Sequence, residues 1–330
     1  MEKSCVSQNP LVELEEQKKN DELISSLPRV ELWDGYYLHQ YQGFWCPSPF
    51  IRPMISFQRH FQAQNEDIIL STYPKSGAIW LKALIFTIVN RSRHTLEQSP
   101  LHTNFAHQLI PFFETAIYMN NRTPDLEDLP KPRIFATHAP YSSLPHSIID
   151  SNCRIVYLCR NPLDQFISEW QFLLGIQGNK GKQRSMDEAL EMACSGVQSY
   201  GPIWEHVLGY WKVSNEQPNK ILFLKYEDLK EDTDFYVKKL ADFLGYPFSK
   251  EEEKEGVIEE ISKFCSFDNM KNLEASKTAD RHPIGYTTKM FFRKGKLGDW
   301  KDYLTPSMAE RLEKLMEEKF DGSGLNFKTS

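Results

Sequence analysis

Apolar residues along this chain fall into short runs separated by longer amphipathic stretches. One run leads from Asp67 into Tyr73, and three more occupy 133–137, 154–159 and 221–225. Each is brief and rich in β-branched or aromatic residues, which predicts strands. Apolar positions at helical spacing cover 77–91, 162–175, 186–196, 201–212, 231–244, 251–264 and 306–318. Strands alternating with helices predict an α/β fold, a single domain with a central parallel β-sheet flanked by helices. Ligands of such sheets sit beyond the carboxyl ends of the strands.

The ends of the pattern differ from its middle. Residues 1–30 are polar and charged and read as a flexible arm with at most one short helix, ahead of a domain over 31–330. From Trp33 to Phe50 the chain is aromatic. Most of that stretch reads as a surface segment tucked onto the core, while Tyr41, Phe44 and Trp45 could instead wall an apolar pocket. Two long loops, 94–131 and 265–300, read as lids, because structureless segments of that length in a compact domain are usually functional.

The junction after the first strand is the most informative. Tyr73-Pro74-Lys75-Ser76-Gly77 passes directly into a helix. Unpaired N–H groups and the dipole at a helix start favour an anion. Gly77 allows close backbone approach and Lys75 adds a point charge. This is a P-loop-like strand-turn-helix, but not a Walker A loop, which needs Gly-x-x-x-x-Gly-Lys-Ser/Thr. The plain alternative is a strand-to-helix turn with a surface lysine.

Composition narrows the setting. The chain has 330 residues, a net charge of −6 and 40% apolar residues. That is enough for a full core, and it argues against nonspecific nucleic-acid binding, which rests on a cationic surface. The six cysteines, Cys5, Cys46, Cys153, Cys159, Cys194 and Cys265, form no Cys-x-x-Cys pair, and no metal site is expected. No apolar run approaches membrane-spanning length and no leader is evident, so a cytoplasmic protein without membrane association is expected.

Other strand ends carry candidate chemistry. The 133–137 strand ends at His138, placed to act as a base; a structural histidine is the plain alternative. The 154–159 strand ends at Arg160, with Ser168 two helical turns further on, a reasonable grip for a second phosphate. A salt bridge from Arg160 to Asp164 or Glu169 is the competing reading. Tyr226 follows the last strand and reads either as a sheet-edge aromatic or as a phenol for a nucleobase. Arg293, Lys294 and Gly295 lie in a loop that is either an exposed basic loop or a flap with phosphate donors.

Taken in order, these segments resemble the cytosolic sulfotransferase family, most closely its plant small-molecule branch (flavonol- and steroid-type). The resemblance rests on Tyr-Pro-Lys-Ser-Gly…Trp at 73–80, Phe-Ala-Thr-His at 135–138 and Cys-Arg-Asn-Pro…Ser at 159–168. It continues through the Tyr-Gly-Pro-Ile-Trp-Glu-His run at 200–206, Lys-Tyr-Glu-Asp-Leu at 225–229, Cys-Ser-Phe at 265–267 and Arg-Lys-Gly…Gly-Asp-Trp at 293–300. It implies a sulfotransferase that uses 3′-phosphoadenosine 5′-phosphosulfate as co-substrate, releases 3′-phosphoadenosine 5′-phosphate, and needs no metal. It further implies that Lys75, Ser76, Gly77, Ala78, Ile79 and Trp80 hold the 5′ end, with Phe267 near the adenine and Tyr226 reaching it. Arg160, Ser168, Arg293, Lys294 and Gly295 would take the 3′-phosphate. His138 would be the general base, Lys75 would stabilise the leaving oxygen, and Ser168 would belong to the catalytic set. The acceptor would be a small hydroxylated, largely apolar molecule of plant secondary metabolism, with Tyr41, Phe44, Trp45, Phe105, Phe112, Phe113 and Tyr141 as pocket candidates.

Three positions depart from the family pattern. Ala78 and Ile79 stand where the family carries two threonines, which removes two hydroxyls expected to bond the 5′-phosphate. Hydrogen bonds to charged groups contribute about 1.5–3 kcal/mol each. A catalytically weakened nucleotide- or ligand-binding homologue is therefore the alternative reading. Ala136 replaces a lysine that animal members carry, and the animal dimer motif is only half kept, so a monomer is expected.

Overall fold

The computed structural model describes residues 10–33, 35–119, 124–178, 184–273 and 287–328. Three short strands, β1 (Arg29–Trp33), β2 (Tyr36–Tyr41) and β3 (Phe44–Pro47), form an antiparallel sheet that the sequence pattern did not reveal. Its aromatic residues are half-buried apart from Phe44, so neither face reads as a clean apolar stripe. It is tied down through its backbone: Trp45 N–H donates to Gly201 O at 2.9 Å and Tyr200 N–H donates to Trp45 O at 2.7 Å.

The central sheet has four parallel strands, β4 (Ile68–Thr72), β5 (Ile134–Thr137), β6 (Arg154–Cys159) and β7 (Ile221–Lys225), in the order β5-β4-β6-β7. Alternate residues feed two cores. Ile69, Phe135, Ile155, Tyr157 and Ile221 face one, and Ile68, Leu70, Ala136, Val156 and Leu222 face the other. Helices Ile51–His60, Pro162–Gln177, Ile203–Glu216 and Pro306–Phe320 pack into the first core; Ala78–Asn90, Thr233–Leu244 and Val257–Phe264 pack into the second. Both faces of every strand are therefore buried, which is why these strands read as continuous apolar runs.

The segment expected as a flexible arm holds a helix, Pro10–Ser26, with Ile24 and Leu27 packed on the first core; residues 1–9 lie outside the described residues. Arg59 reaches back to it, 3.4 Å from Asn20 Oδ1 and 3.7 Å from Glu16 Oε1. The helix expected over 251–264 is two, Lys250–Lys254 and Val257–Phe264, broken at Gly256, whose φ of 81° a helix cannot continue. Of the two expected lids, 120–123 and 274–286 lie outside the described residues; the rest carry short helical turns, including one π turn at Phe113–Ile117.

Candidate active site

The strand order sets the site. At their carboxyl ends β5 delivers His138, β4 the 73–77 turn, β6 Arg160 and β7 Tyr226, so these four groups line one edge of the sheet in that sequence. Above that edge lies a cavity of about 230 Å³. Lys75, Gly77, Ala78, Ile79, Trp80, His138, Arg160, Ser168, Tyr226, Phe267, Arg293, Lys294 and Gly295 all line it.

The turn is built for close approach. Lys75 adopts φ 66° and Gly77 φ 107°, left-handed values that a lysine takes only where its surroundings enforce them. A Cβ at Gly77 would lie 2.8 Å from the Tyr226 ring, so only glycine fits. The first N–H groups of the Ala78–Asn90 helix have no partner within that helix and open beside the turn. Ser76 Oγ, Trp80 Nε1 and Arg160 Nε are buried without a hydrogen-bond partner. Lys75 Nζ lies over two rings, 3.9 Å from the centroid of Phe172 and 5.0 Å from that of Phe291. Burial, then the Arg293 and Arg160 charges, depress its pKa to about 7, with Glu169 pulling the other way. A cation held on aromatic faces beside idle N–H groups is equipped to receive an anion.

Arg160 stacks over Tyr226, Cζ to centroid 4.8 Å, and Trp80 meets the same ring edge-on at 5.4 Å. The competing reading of Arg160, a salt bridge to Asp164 or Glu169, is realised with Asp164, at 3.2 Å. Asp164 also accepts the N–H groups of Gly298 (2.9 Å) and Trp300 (3.1 Å), which fastens the 293–300 loop over the sheet edge. Within that loop Arg293 pairs with Asp299, and Lys294 bridges Asp299 (2.7 Å) and Asp302 (2.8 Å). Gly295 (φ 62°) lies against Phe267, where a Cβ would approach the ring to 2.6 Å.

His138 is held from every side. Its Nδ1 lies 2.7 Å from Thr72 O; a carbonyl only accepts, so Nδ1 carries the proton and Nε2 the lone pair. Its backbone N–H donates to Glu114 Oε1 at 2.5 Å, and its carbonyl accepts from His206 Nε2 at 2.9 Å. The ring lies against Phe112, centroids 4.4 Å apart. Burial lowers the His138 pKa to about 3, so the imidazole is neutral.

Several of these partners carry no motif and were not anticipated. Glu114, from the π turn, also accepts from Thr137 Oγ1 at 3.2 Å, and burial lifts its carboxyl to about 7 against the pull of its hydrogen bonds. Lys82, fully buried, places Nζ 3.4 Å from the centroid of Phe112, and burial depresses its pKa strongly. A lysine inside an otherwise apolar helical face was the available signal.

The apolar wall differs from the expected one. Of the seven pocket candidates only Phe112 lines the cavity. Tyr41 and Phe44 pair across the tip of the β2–β3 hairpin, where Tyr41 OH donates to Gln58, and Trp45 is the next residue of that strand. The cavity meets the opposite end of the hairpin, through Tyr36, Pro47 and the following Phe50. Phe113 is in the core between Phe57 and Phe135, Tyr141 packs edge-on to Tyr210, and Phe105 packs edge-on to Phe292. The remaining wall is Phe172, Leu173, Ile176, Tyr200 and Phe291, with His107 and Thr115.

Comparison with known proteins places this architecture. The family model described as the sulfotransferase domain matches residues 65–324. The chain is similar to cytosolic sulfotransferase 15 of Arabidopsis thaliana, 46% identical and covering 94% of this chain and 87% of that relative. Among solved structures it is similar to a sulphotransferase of Arabidopsis thaliana, 36% identical with a TM-score of 0.76, covering 98% of this chain and 100% of that one. It is also similar to mouse sulfotransferase SULT7A1 complexed with PAP, 27% identical with a TM-score of 0.67, covering 87% of this chain and 96% of that one. The chain therefore belongs to the sulfotransferase family, alongside the plant cytosolic sulfotransferases.

Proposed function

We propose that this protein transfers a sulfonate group from 3′-phosphoadenosine 5′-phosphosulfate to a hydroxyl of a small, largely apolar acceptor. The observation that carries the reading is the line-up along one sheet edge: a neutral histidine, an anion-receiving turn, an arginine and a phenol, all on one cavity. The presence of PAP in the SULT7A1 complex supports the choice of donor. So do the orphaned Ser76 Oγ, Trp80 Nε1 and Arg160 Nε, buried polar groups whose cost a bound nucleotide bisphosphate would relieve.

In this reading the 73–80 turn holds the 5′ end, and Trp80, Tyr226 and Phe267 frame the base. Arg160, Ser168 and the Arg293–Gly295 segment take the 3′-phosphate, for which Arg293, Lys294 and Arg160 exchange part of their pairing with Asp299 and Asp164. The donor supplies a sulfonate already activated by its phosphate leaving group. His138 Nε2 accepts the acceptor's hydroxyl proton as that oxygen bonds to sulfur. Lys75 and the helix N–H groups stabilise the charge that returns to the phosphate oxygen as its bond to sulfur breaks. Apolar walls from Phe50, Phe112, Phe172, Leu173 and Ile176 exclude water from the line of transfer.

The lining positions of Ala78 and Ile79, without hydroxyls, favour one second reading, a homologue that binds the nucleotide and transfers poorly. Incubation with the donor and a panel of hydroxylated aromatic acceptors separates the two. The proposal expects sulfated product and 3′-phosphoadenosine 5′-phosphate in equal amounts. Nucleotide binding without transfer to any acceptor would establish the second reading instead.

A further inference from the structure

Glu169 is the only carboxylate among the described residues that line the cavity. It lies on the same face of the Pro162–Gln177 helix as Phe172, Leu173 and Ile176, at i, i+3, i+4 and i+7, and those three residues form the apolar wall. Of the cations of the cavity, Lys75 belongs to the phosphate turn, Arg160 to a strand end, Lys230 to the Tyr226–Glu231 helix, and Arg293 and Lys294 to the flap. Glu169 is 5% exposed.

Its hydrogen bonds favour one charge state. Oε2 accepts from Gln165 Nε2 at 2.9 Å and from Gln198 Nε2 at 3.1 Å, and Oε1 accepts from the Ser199 N–H at 3.2 Å. Gln165 Nε2 also donates to the Pro74 carbonyl at 3.1 Å, which orients that amide with its nitrogen toward Glu169. The group is thus met by N–H donors, and N–H donors favour the ionised carboxylate over the acid. Burial is the largest influence and holds the carboxyl above its ordinary range, against the pull of the Gln165 and Ser199 hydrogen bonds and the Lys75 charge.

An ionised carboxylate in an apolar wall discriminates by sign, because like charges brought together out of water repel strongly while a cation there is attracted. We infer that Glu169 sorts acceptors by charge: the site takes hydroxylated molecules whose apolar body is neutral or carries a protonated amine, and refuses those that carry a carboxylate. The inference rests on the proposed transfer activity for the identity of the acceptor side.

Three probes with one ring system and one hydroxyl test it: 2-naphthol, 6-aminomethyl-2-naphthol and 6-hydroxy-2-naphthoate. With the unaltered protein, kcat/KM for the ammonium compound should lie within about tenfold of 2-naphthol, and that for the carboxylate about a hundredfold or more below it. Glu169→Gln should narrow the neutral-to-carboxylate ratio by about tenfold or more and weaken the ammonium compound. Calorimetric binding of the same probes, with 3′-phosphoadenosine 5′-phosphate present, reads the order independently of turnover. Absence of transfer with the expected binding order would thus sink the proposed activity and leave the sorting intact. Equal use of carboxylate and neutral probes overturns the inference, and so does refusal of the ammonium probe as strongly as the carboxylate, since burial alone rejects both signs. These comparisons use the unaltered protein and hold even where Glu169→Gln does not fold.

Discussion

The two edges of the central sheet hold buried cations in opposite ways. At the amino edge, each nitrogen of Arg133 is bonded within the chain. Nε and Nη2 bond Asp67 at 2.8 and 2.5 Å, Nη2 also reaches Gln62 O at 3.1 Å, and Nη1 reaches Leu126 O at 3.3 Å. At the carboxyl edge, Lys75 rests on aromatic rings, and Arg160 keeps a buried Nε without a partner. A cation whose partners all come from its own chain has a structural task. A cation left with unused donors beside open N–H groups and on a cavity is free to take a partner from outside the chain, which is the role the proposed function gives Lys75 and Arg160.

The largest effect that would break this contrast concerns the base. His138→Ala should lower turnover by roughly 10²–10⁴-fold while nucleotide affinity stays within a few-fold, because the lost group acts on the acceptor proton. Steady-state kinetics with parallel calorimetry check this, and near-normal turnover would remove His138 from the mechanism.

Next comes the edge comparison itself. Arg133→Met leaves Asp67 buried and unpaired, and should cost about 3–5 kcal/mol in chemical unfolding. Lys75→Met removes a buried cation that lacks a carboxylate partner, so its stability should be unchanged or raised while nucleotide affinity falls. Equal destabilisation by the two substitutions would erase the distinction between the edges.

Much of this was legible beforehand, and particular residues show why. β6 and β7 were bounded correctly and β5 to within one residue, because strands buried on both faces leave an uninterrupted apolar run. The parallel sheet followed from strand–helix alternation. The β1–β3 sheet stayed hidden because its aromatic residues, Phe44 apart, are half-buried on both faces, which leaves no clean alternation between core and water. At the site, the residues that leave strand ends were visible as short polar punctuation after apolar runs. The acceptor wall was not, since Tyr36, Pro47 and Ile176 meet only through hairpin register and the docking of separate elements. Aromatic content located Phe112 beside Phe113, but only the fold decides which of two neighbours faces the cavity. Glu114 was illegible for the same reason, since what marks it is burial, not motif; Lys82 had only its place in an apolar helical face as a signal.

A smaller effect sharpens the role of Lys75. Its free-protein pKa of about 7 lies far below the ordinary lysine range because of burial and then the Arg293 charge. The charged form exists below that value and is the form that binds an anion. Nucleotide affinity should therefore fall as pH rises from about 6 to about 8.5, by at most about tenfold per unit above 7. Lys75→Arg stays charged and should flatten the profile. A flat profile in the unaltered protein would mean that Lys75 is not linked to binding.

A separate effect concerns the unusual turn. Ala78→Thr with Ile79→Thr adds two hydroxyls beside the helix N-terminus and should tighten nucleotide binding by up to about 3 kcal/mol, read as the ligand-induced shift in thermal unfolding. A folded double variant that binds no better would show that the backbone N–H groups, Lys75 and Ser76 suffice.

The most direct measurement is calorimetric comparison of 3′-phosphoadenosine 5′-phosphate with adenosine 5′-phosphate, in the unaltered protein and in Arg160→Ala. Arg160 and the Arg293–Gly295 segment are assigned to the second phosphate, and charge-assisted hydrogen bonds are roughly twice as strong as neutral ones. The account expects the bisphosphate to bind at least about a hundredfold more tightly, and Arg160→Ala to remove most of that preference. Equal affinity for the two nucleotides in the unaltered protein would contradict it.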